Sequence, residues 1–195
     1  MARIRPLAAM TPAMTLAGFL SQVVGRLESA SIDYMIAGSV ASSVYGEPRT
    51  TRDIDIVVAV ESTALLALFD AFDRELVYID EPATGALVGP GQMFNLIDLQ
   101  GGWKVDLMVK KDRPFSSAEF ARRRSVEVLG INVMVASAED VLLAKLEWSA
   151  QSGSTRQLED ARGIVAVQRD LLDLEYLRRW APELGVEAAL AGLID

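Results

Sequence analysis

The spacing of apolar positions changes several times along the chain, and each change marks an element. Leu16, Leu20, Val23, Val24 and Leu27 recur at helical spacing and predict an amphipathic helix from about Thr15 to Ala30. Asp33 to Ala37 is a short apolar run, read as a buried strand. Gly38 to Tyr45 is rich in small residues and reads as a short helix, ended by Gly46-Glu47-Pro48. Ile54 to Val60 is apolar almost throughout, the pattern of a strand central in its sheet. Ser62 is placed to cap a helix that presents Leu65, Leu66, Phe69 and Phe72. A Pro- and Gly-rich loop runs from Glu81 to Gly91. Phe94 to Leu99 and Trp103 to Val109 flank Gly101-Gly102, a hairpin signal. Within the second run, Trp103, Val105, Leu107 and Val109 alternate with Lys104, Asp106 and Met108. Ser116 to Arg124 reads as a helix, and Val126 to Leu129 with Ile131 to Val135 as a strand pair about Gly130.

From Ser137 the pattern is helical only. Ser137-Ala138-Glu139-Asp140 has the form of a capping box with aspartate in the reaching position, opening a helix with Val141, Leu142, Leu146 and Ala150. Gly153 ends that helix, and Ser154 with Gln157 caps the next, which carries Leu158, Ile164 and Val165. Two shorter helices follow, around Leu172 to Trp180 and Val186 to Leu193. This alternation predicts an α/β (α+β) protein. Its expected parts are an N-terminal tail over 1–14, a core over 15–136, and a helical segment over 137–195 packed on that core. No internal repeat or low-complexity segment interrupts it.

Composition narrows the chemistry. The absence of cysteine removes disulfides, thiolate zinc sites and cysteine nucleophiles. The absence of histidine leaves carboxylates, lysine, arginine and hydroxyls to do any acid–base or metal-binding work. That favours oxygen-ligated magnesium or manganese over zinc. A net charge of −8 counts against a large nucleic-acid substrate. Lys110, Lys111 and Arg113, and again Arg122, Arg123 and Arg124, cluster and read as a solvated loop and helix face. Arg3 and Arg5 precede an apolar run, but helical spacing continues past any cleavage point, so a tail and helix are expected rather than a signal peptide. No apolar run is long enough for a transmembrane helix, and the expected location is the cytoplasm.

The chemistry-bearing residues are carboxylates. Asp53 and Asp55 open a predicted strand and point to one face, while Ile54 and Ile56 point to the other. Two neighbouring carboxylates repel, and a divalent cation is the usual remedy. Gly38-Ser39 lies where a strand gives way to a helix, a place where backbone N–H groups attract phosphate. Asp106 sits on the polar alternation of a later strand and is the best candidate for a third ligand.

In this order and context, Gly38-Ser39, Asp53-x-Asp55 and Asp106 resemble the minimal nucleotidyltransferase superfamily, the group related to DNA polymerase beta. Glu139-Asp140, Lys145, Arg156 and Asp160 resemble the C-terminal helical motif of AbiEii-type bacterial nucleotidyltransferase proteins. The matches touch most of residues 35–165. The resemblance implies a nucleotidyltransferase-like mixed β-sheet with flanking helices. It implies two Mg2+ ions, replaceable by Mn2+, on Asp53, Asp55 and Asp106, with the phosphates of a nucleoside triphosphate such as ATP over Gly38 and Ser39. Lys145 would steady the outer phosphates, Arg49, Thr51 and Arg52 are further candidates for phosphate contact, and Asp106 would take the acceptor's proton. The implied activity moves an NMP to an acceptor hydroxyl or phosphate on a small molecule, a protein or a tRNA. The AbiEii likeness adds a toxin role with a cognate antitoxin-type partner. Two alternatives stay open: a non-catalytic nucleotide-binding or regulatory module of the same fold, and a glycosyltransferase using Asp-x-Asp. Singly, each motif also has an ordinary structural reading, such as Arg156 pairing with Asp160 one helical turn on.

Overall fold

Strand β2 (Asp53–Ala59) is the middle of a seven-stranded mixed sheet. The computed structural model describes residues 14–82 and 87–194, so the expected tail apart from Met14, and part of the Glu81–Gly91 loop, lie outside the described residues. The other strands are β1 (Asp33–Ala37), β3 (Val77–Ile79), β4 (Met93–Asp98), β5 (Lys104–Val109), β6 (Arg124–Val128) and β7 (Ile131–Val135). Their order is β3-β4-β5-β2-β1-β7-β6. β2 runs antiparallel to β1 and parallel to β5, and β4 runs antiparallel to β5.

β2 is central in the sheet, as expected, and its two faces differ. Ile54, Ile56 and Val58 are fully buried, whereas Asp53, Asp55 and Val57 keep some exposure. β5 repeats this, with Val105, Leu107 and Val109 buried and Lys104, Asp106 and Met108 half-buried. One face of the central strands is therefore core and the other is the floor of a cleft. Burying the three large β2 side chains contributes about 1.5–3 kcal/mol each, which pins the register.

The helices are α1 (Leu16–Ser29), α2 (Gly38–Tyr45), α3 (Ser62–Asp70), α4 (Pro114–Ala121), α5 (Ala138–Ser152), α6 (Thr155–Gln168), α7 (Leu174–Leu184) and α8 (Glu187–Ile194), with a 3-10 turn at Arg169–Leu171. Thr15 caps α1, its hydroxyl accepting from the Gly18 amide at 3.1 Å. α5 and α6 pack on each other and on α2, which brings the C-terminal helices to the turn after β1. No helix among the described residues is long and apolar enough to cross a membrane.

Several local expectations are corrected. Ser62 does not cap α3; its hydroxyl donates to the Val88 carbonyl and accepts from the Val88 amide, tying down a loop. Leu66 faces outward while Leu65, Phe69 and Phe72 are buried, because the apolar stripe is narrower than four residues. α4 begins earlier, at Pro114, where proline's fixed φ suits a first helical position, and Arg124 opens β6 instead of closing a helix. β3 was not anticipated; three residues carry too little pattern to read. Ser137 caps α5, but the Asp140 carboxylate accepts from the Ser137 hydroxyl at 2.6 Å instead of reaching back to its amide. Ser154 precedes α6 without a side-chain cap, and Ala150 is exposed. The basic clusters are not merely solvated: Arg113 pairs with Glu147, Arg122 with Glu139, and Arg123 with Asp33.

Candidate active site

The strand register assembles the acidic centre. Asp55 lies opposite Asp106 in the parallel β2–β5 pair, Asn95 lies opposite Asp106 across β4, and Ala37 lies opposite Asp55 across β1. One row therefore runs Asn95, Asp106, Asp55, Ala37 over four strands, and Asp53 with Lys104 forms the next pair. Side chains two residues apart on a strand share a face, so Asp53, Asp55, Lys104 and Asp106 all project onto the cleft side. The register thus sets Asp53, Asp55 and Asp106, the three carboxylates singled out in the sequence, at neighbouring positions of one sheet face.

Gly38 closes the row. Its φ is +57°, and a Cβ placed on it would lie 2.8 Å from Asp55 Cβ and closer still to the carboxylate. Only glycine leaves room for Asp55 there. Asp55 Oδ2 accepts a hydrogen bond from the Ser39 amide at 3.3 Å, at the N-terminus of α2. Burial pushes the Asp55 carboxyl above its usual range; the Ser39 amide opposes this, and the charge on Asp106 adds to it. Asp106 Oδ1 is buried with no donor. Its other oxygen receives the Lys104 ammonium at 2.9 Å, which also lies 3.7 Å from Asp53. Hydrogen bonding to Asp106 raises the Lys104 pKa in turn.

Among the described residues, no three acidic side chains already converge as a metal ligand set. The reason is local: Asp55 leans on the Ser39 amide, and Lys104 stands between Asp53 and Asp106. The donor set nonetheless suits a hard divalent cation. It is all oxygen, it carries excess negative charge, and it includes a buried carboxylate oxygen without a partner.

Beneath the Gly38 turn lies a charge relay between elements. Asp160 of α6 accepts from Lys145 at 2.7 Å and from Arg49 at 3.0 and 3.1 Å, and Arg49 donates to the Ser39 hydroxyl at 2.5 Å. Arg156 is not the partner of Asp160. Burial alone would raise the Asp160 carboxyl, but the hydrogen bonds from Arg49 and Lys145 outweigh it and hold its pKa below the ordinary value. Lys145 is only 5% exposed, so its ammonium depends on this carboxylate. We expect Asp160→Asn to lower stability by about 3 kcal/mol, as losing one partner of a buried pair does, measured by urea unfolding at neutral pH. The deficit should shrink as pH falls through the Asp160 titration, since a carboxylate with a depressed pKa stabilises only while ionised.

The cleft has a volume of about 380 Å³ and is lined by Gly38, Ser39, Asp53, Asp55, Asp106 and Lys145 on the side described above. Arg49, Thr51 and Arg52 do not line it. Arg49 acts from behind Ser39, and the Thr51 hydroxyl bonds the backbone of Asp53. The lining also includes Arg113, Glu119, Glu147 and Trp148, and neither acid was singled out in the sequence. Arg113 grips Glu147 through both guanidinium ends, at 2.5 and 2.7 Å. Burial, then the charge of Asp140, push the Glu119 carboxyl up to about 7. A carboxyl raised in the folded state binds its proton there over a pH range where the unfolded chain has lost it, so stability declines as pH rises from about 4.5 to 7. Glu119→Gln should match the wild type at about pH 4 and exceed it by roughly 2 kcal/mol at about pH 8 in urea unfolding. Equal stability at both pH values would refute this.

No protein-family model and no curated protein matches the chain. Solved structures do. An antigenic nucleotidyltransferase-like protein from Paracoccidioides brasiliensis is 22% identical, with a TM-score of 0.58 over 95% of this chain and 97% of that one. ANT(2'')-Ia in complex with adenylyl-2''-tobramycin is 14% identical, with a TM-score of 0.60 over 87% of this chain and 96% of that one. The lincosamide antibiotic adenylyltransferase LnuA, lincomycin-bound, is 12% identical, with a TM-score of 0.50 over 74% of this chain and 95% of that one. With its seven-stranded mixed sheet and flanking helices, this chain has a nucleotidyltransferase-like fold.

Proposed function

We propose that the chain is a metal-dependent nucleotidyltransferase that moves an NMP from a nucleoside triphosphate to an acceptor hydroxyl or phosphate. One observation carries this reading: Asp106 meets Asp55 in strand register, against a glycine that only this arrangement requires, and keeps a buried oxygen without a partner. A divalent cation on Asp53, Asp55 and Asp106, Mg2+ or Mn2+, would supply charge neutralisation at the α-phosphate. The N-terminus of α2, at Gly38 and Ser39, favours the charge of a phosphate. Lys145, held by Asp160 at the cleft wall, adds positive charge near the outer phosphates. The acceptor oxygen attacks the α-phosphorus, the bond to the β-phosphate breaks, and pyrophosphate leaves with the electron pair. Asp106 Oδ1 is the free oxygen that can take the acceptor's proton.

A small acceptor is favoured over a polyanion by the chain's net charge of −8. Two of the similar structures hold a compound of antibiotic size, adenylyl-tobramycin and lincomycin. A toxin role would instead require a protein or tRNA acceptor, together with an antitoxin-type partner and a cytoplasmic setting.

The test is label transfer from each α-labelled triphosphate with Mg2+, offered small-molecule, protein and tRNA fractions of a cell extract separately, with pyrophosphate release followed in parallel. Transfer with stoichiometric pyrophosphate supports the reading. Triphosphate binding without pyrophosphate release in any fraction would replace it with the non-catalytic module.

A further inference from the structure

Lys104 occupies an unusual place. It is the first residue of β5, paired in register with Asp53, and it shares a strand face with Asp106. Its ammonium touches the two carboxylates that no other cation reaches among the described residues, Asp106 at 2.9 Å and Asp53 at 3.7 Å. Lys145 and Arg49 share Asp160, and Glu147 takes Arg113, so these three cations are paired with other acids.

We infer that Lys104 is a resident, displaceable cation of the carboxylate centre, which a divalent ion must push aside to bind Asp53 and Asp106. The inference rests on reading Asp53, Asp55 and Asp106 as a divalent-cation site. Three facts carry it. The ammonium lies between acids of two different strands, both of them carboxylates that would hold the ion. It satisfies the centre only in part, because Asp106 Oδ1 keeps no donor. The Lys104 side chain is 31% exposed and ends a flexible four-carbon stem, so it can swing to solvent without moving β5. A purely structural ion pair would be expected to order the carboxylates and assist metal binding; a competing cation opposes it.

The two are told apart on the full chain with Mn2+ alone, without nucleotide, by calorimetry. Lys104→Met and Lys104→Gln should bind Mn2+ at least about fivefold more tightly than wild type, the low end of ordinary coupling between two binding events. Lys104→Arg, which keeps the charge, should show no gain. A second measurement needs no variant: in the wild type, an amine-reactive ester should label Lys104 faster with Mn2+ present, read by mass spectrometry of the peptide. Unchanged or weaker Mn2+ binding in Lys104→Met and Lys104→Gln, or labelling of Lys104 that Mn2+ leaves unchanged or slows, overturns the inference while leaving the metal site intact. A wild type that binds no Mn2+, with both neutral variants equally silent, rejects the metal site itself and this inference with it.

Discussion

Asp55→Asn should reduce nucleotidyl transfer by about 1,000-fold or more, because it removes a carboxylate from the point where transition-state charge must be balanced. The same substitution should make the metal-free protein more stable at neutral pH. Burial and the neighbouring Asp106 charge hold the Asp55 pKa above its ordinary value, so the ionised form is a liability to the fold. An amide of the same shape removes that liability and can still accept from the Ser39 amide. Paired urea unfolding without metal and pyrophosphate release with Mg2+ check both halves. Loss of stability together with loss of activity would mean that Asp55 holds the fold together and is not strained in service of a site.

Gly38→Ala should lower stability by about 3 kcal/mol, since it combines a left-handed backbone with a collision against Asp55. Transfer should fall by about 100-fold, the usual effect of displacing a reacting group by an ångström. The collision gives this prediction a signature. In a double variant with Asp55→Gly, part of the Gly38→Ala penalty should disappear, because the atoms it meets are gone. Additive stability losses would show that the backbone conformation alone governs Gly38, and that its closeness to Asp55 is incidental.

These expectations rest on placements that differ in how far the sequence reveals them. The strand–helix turn at Gly38 is readable because glycine, small residues and a flanking apolar run form one local pattern. The shared face of Asp53 and Asp55 follows from strand pleat alone. Lys104 was readable by the same rule, two positions before Asp106, yet a lone lysine on a half-exposed strand raises no alarm until its partners are known. The partner of Asp160 was misjudged for the converse reason. Arg156 is near in sequence, but Lys145 and Arg49 are nearer in space, where burial makes their charges costly to leave alone. Glu119 and Glu147 gave no signal at all, since an acid on an amphipathic helix looks the same whether it meets water or a cleft.

Local chain chemistry by itself determined the helices, most strands, the glycine turn and the pair of acids that opens β2. Those features depend on residues within a few positions of each other, where backbone geometry and periodic burial act directly. Tertiary structure alone decided which acid stands beside Asp55, which cation answers Asp106, and which carboxylate anchors Lys145. Each of those pairings joins distant segments through strand register or helix packing, and no local preference specifies the partner until the core has closed.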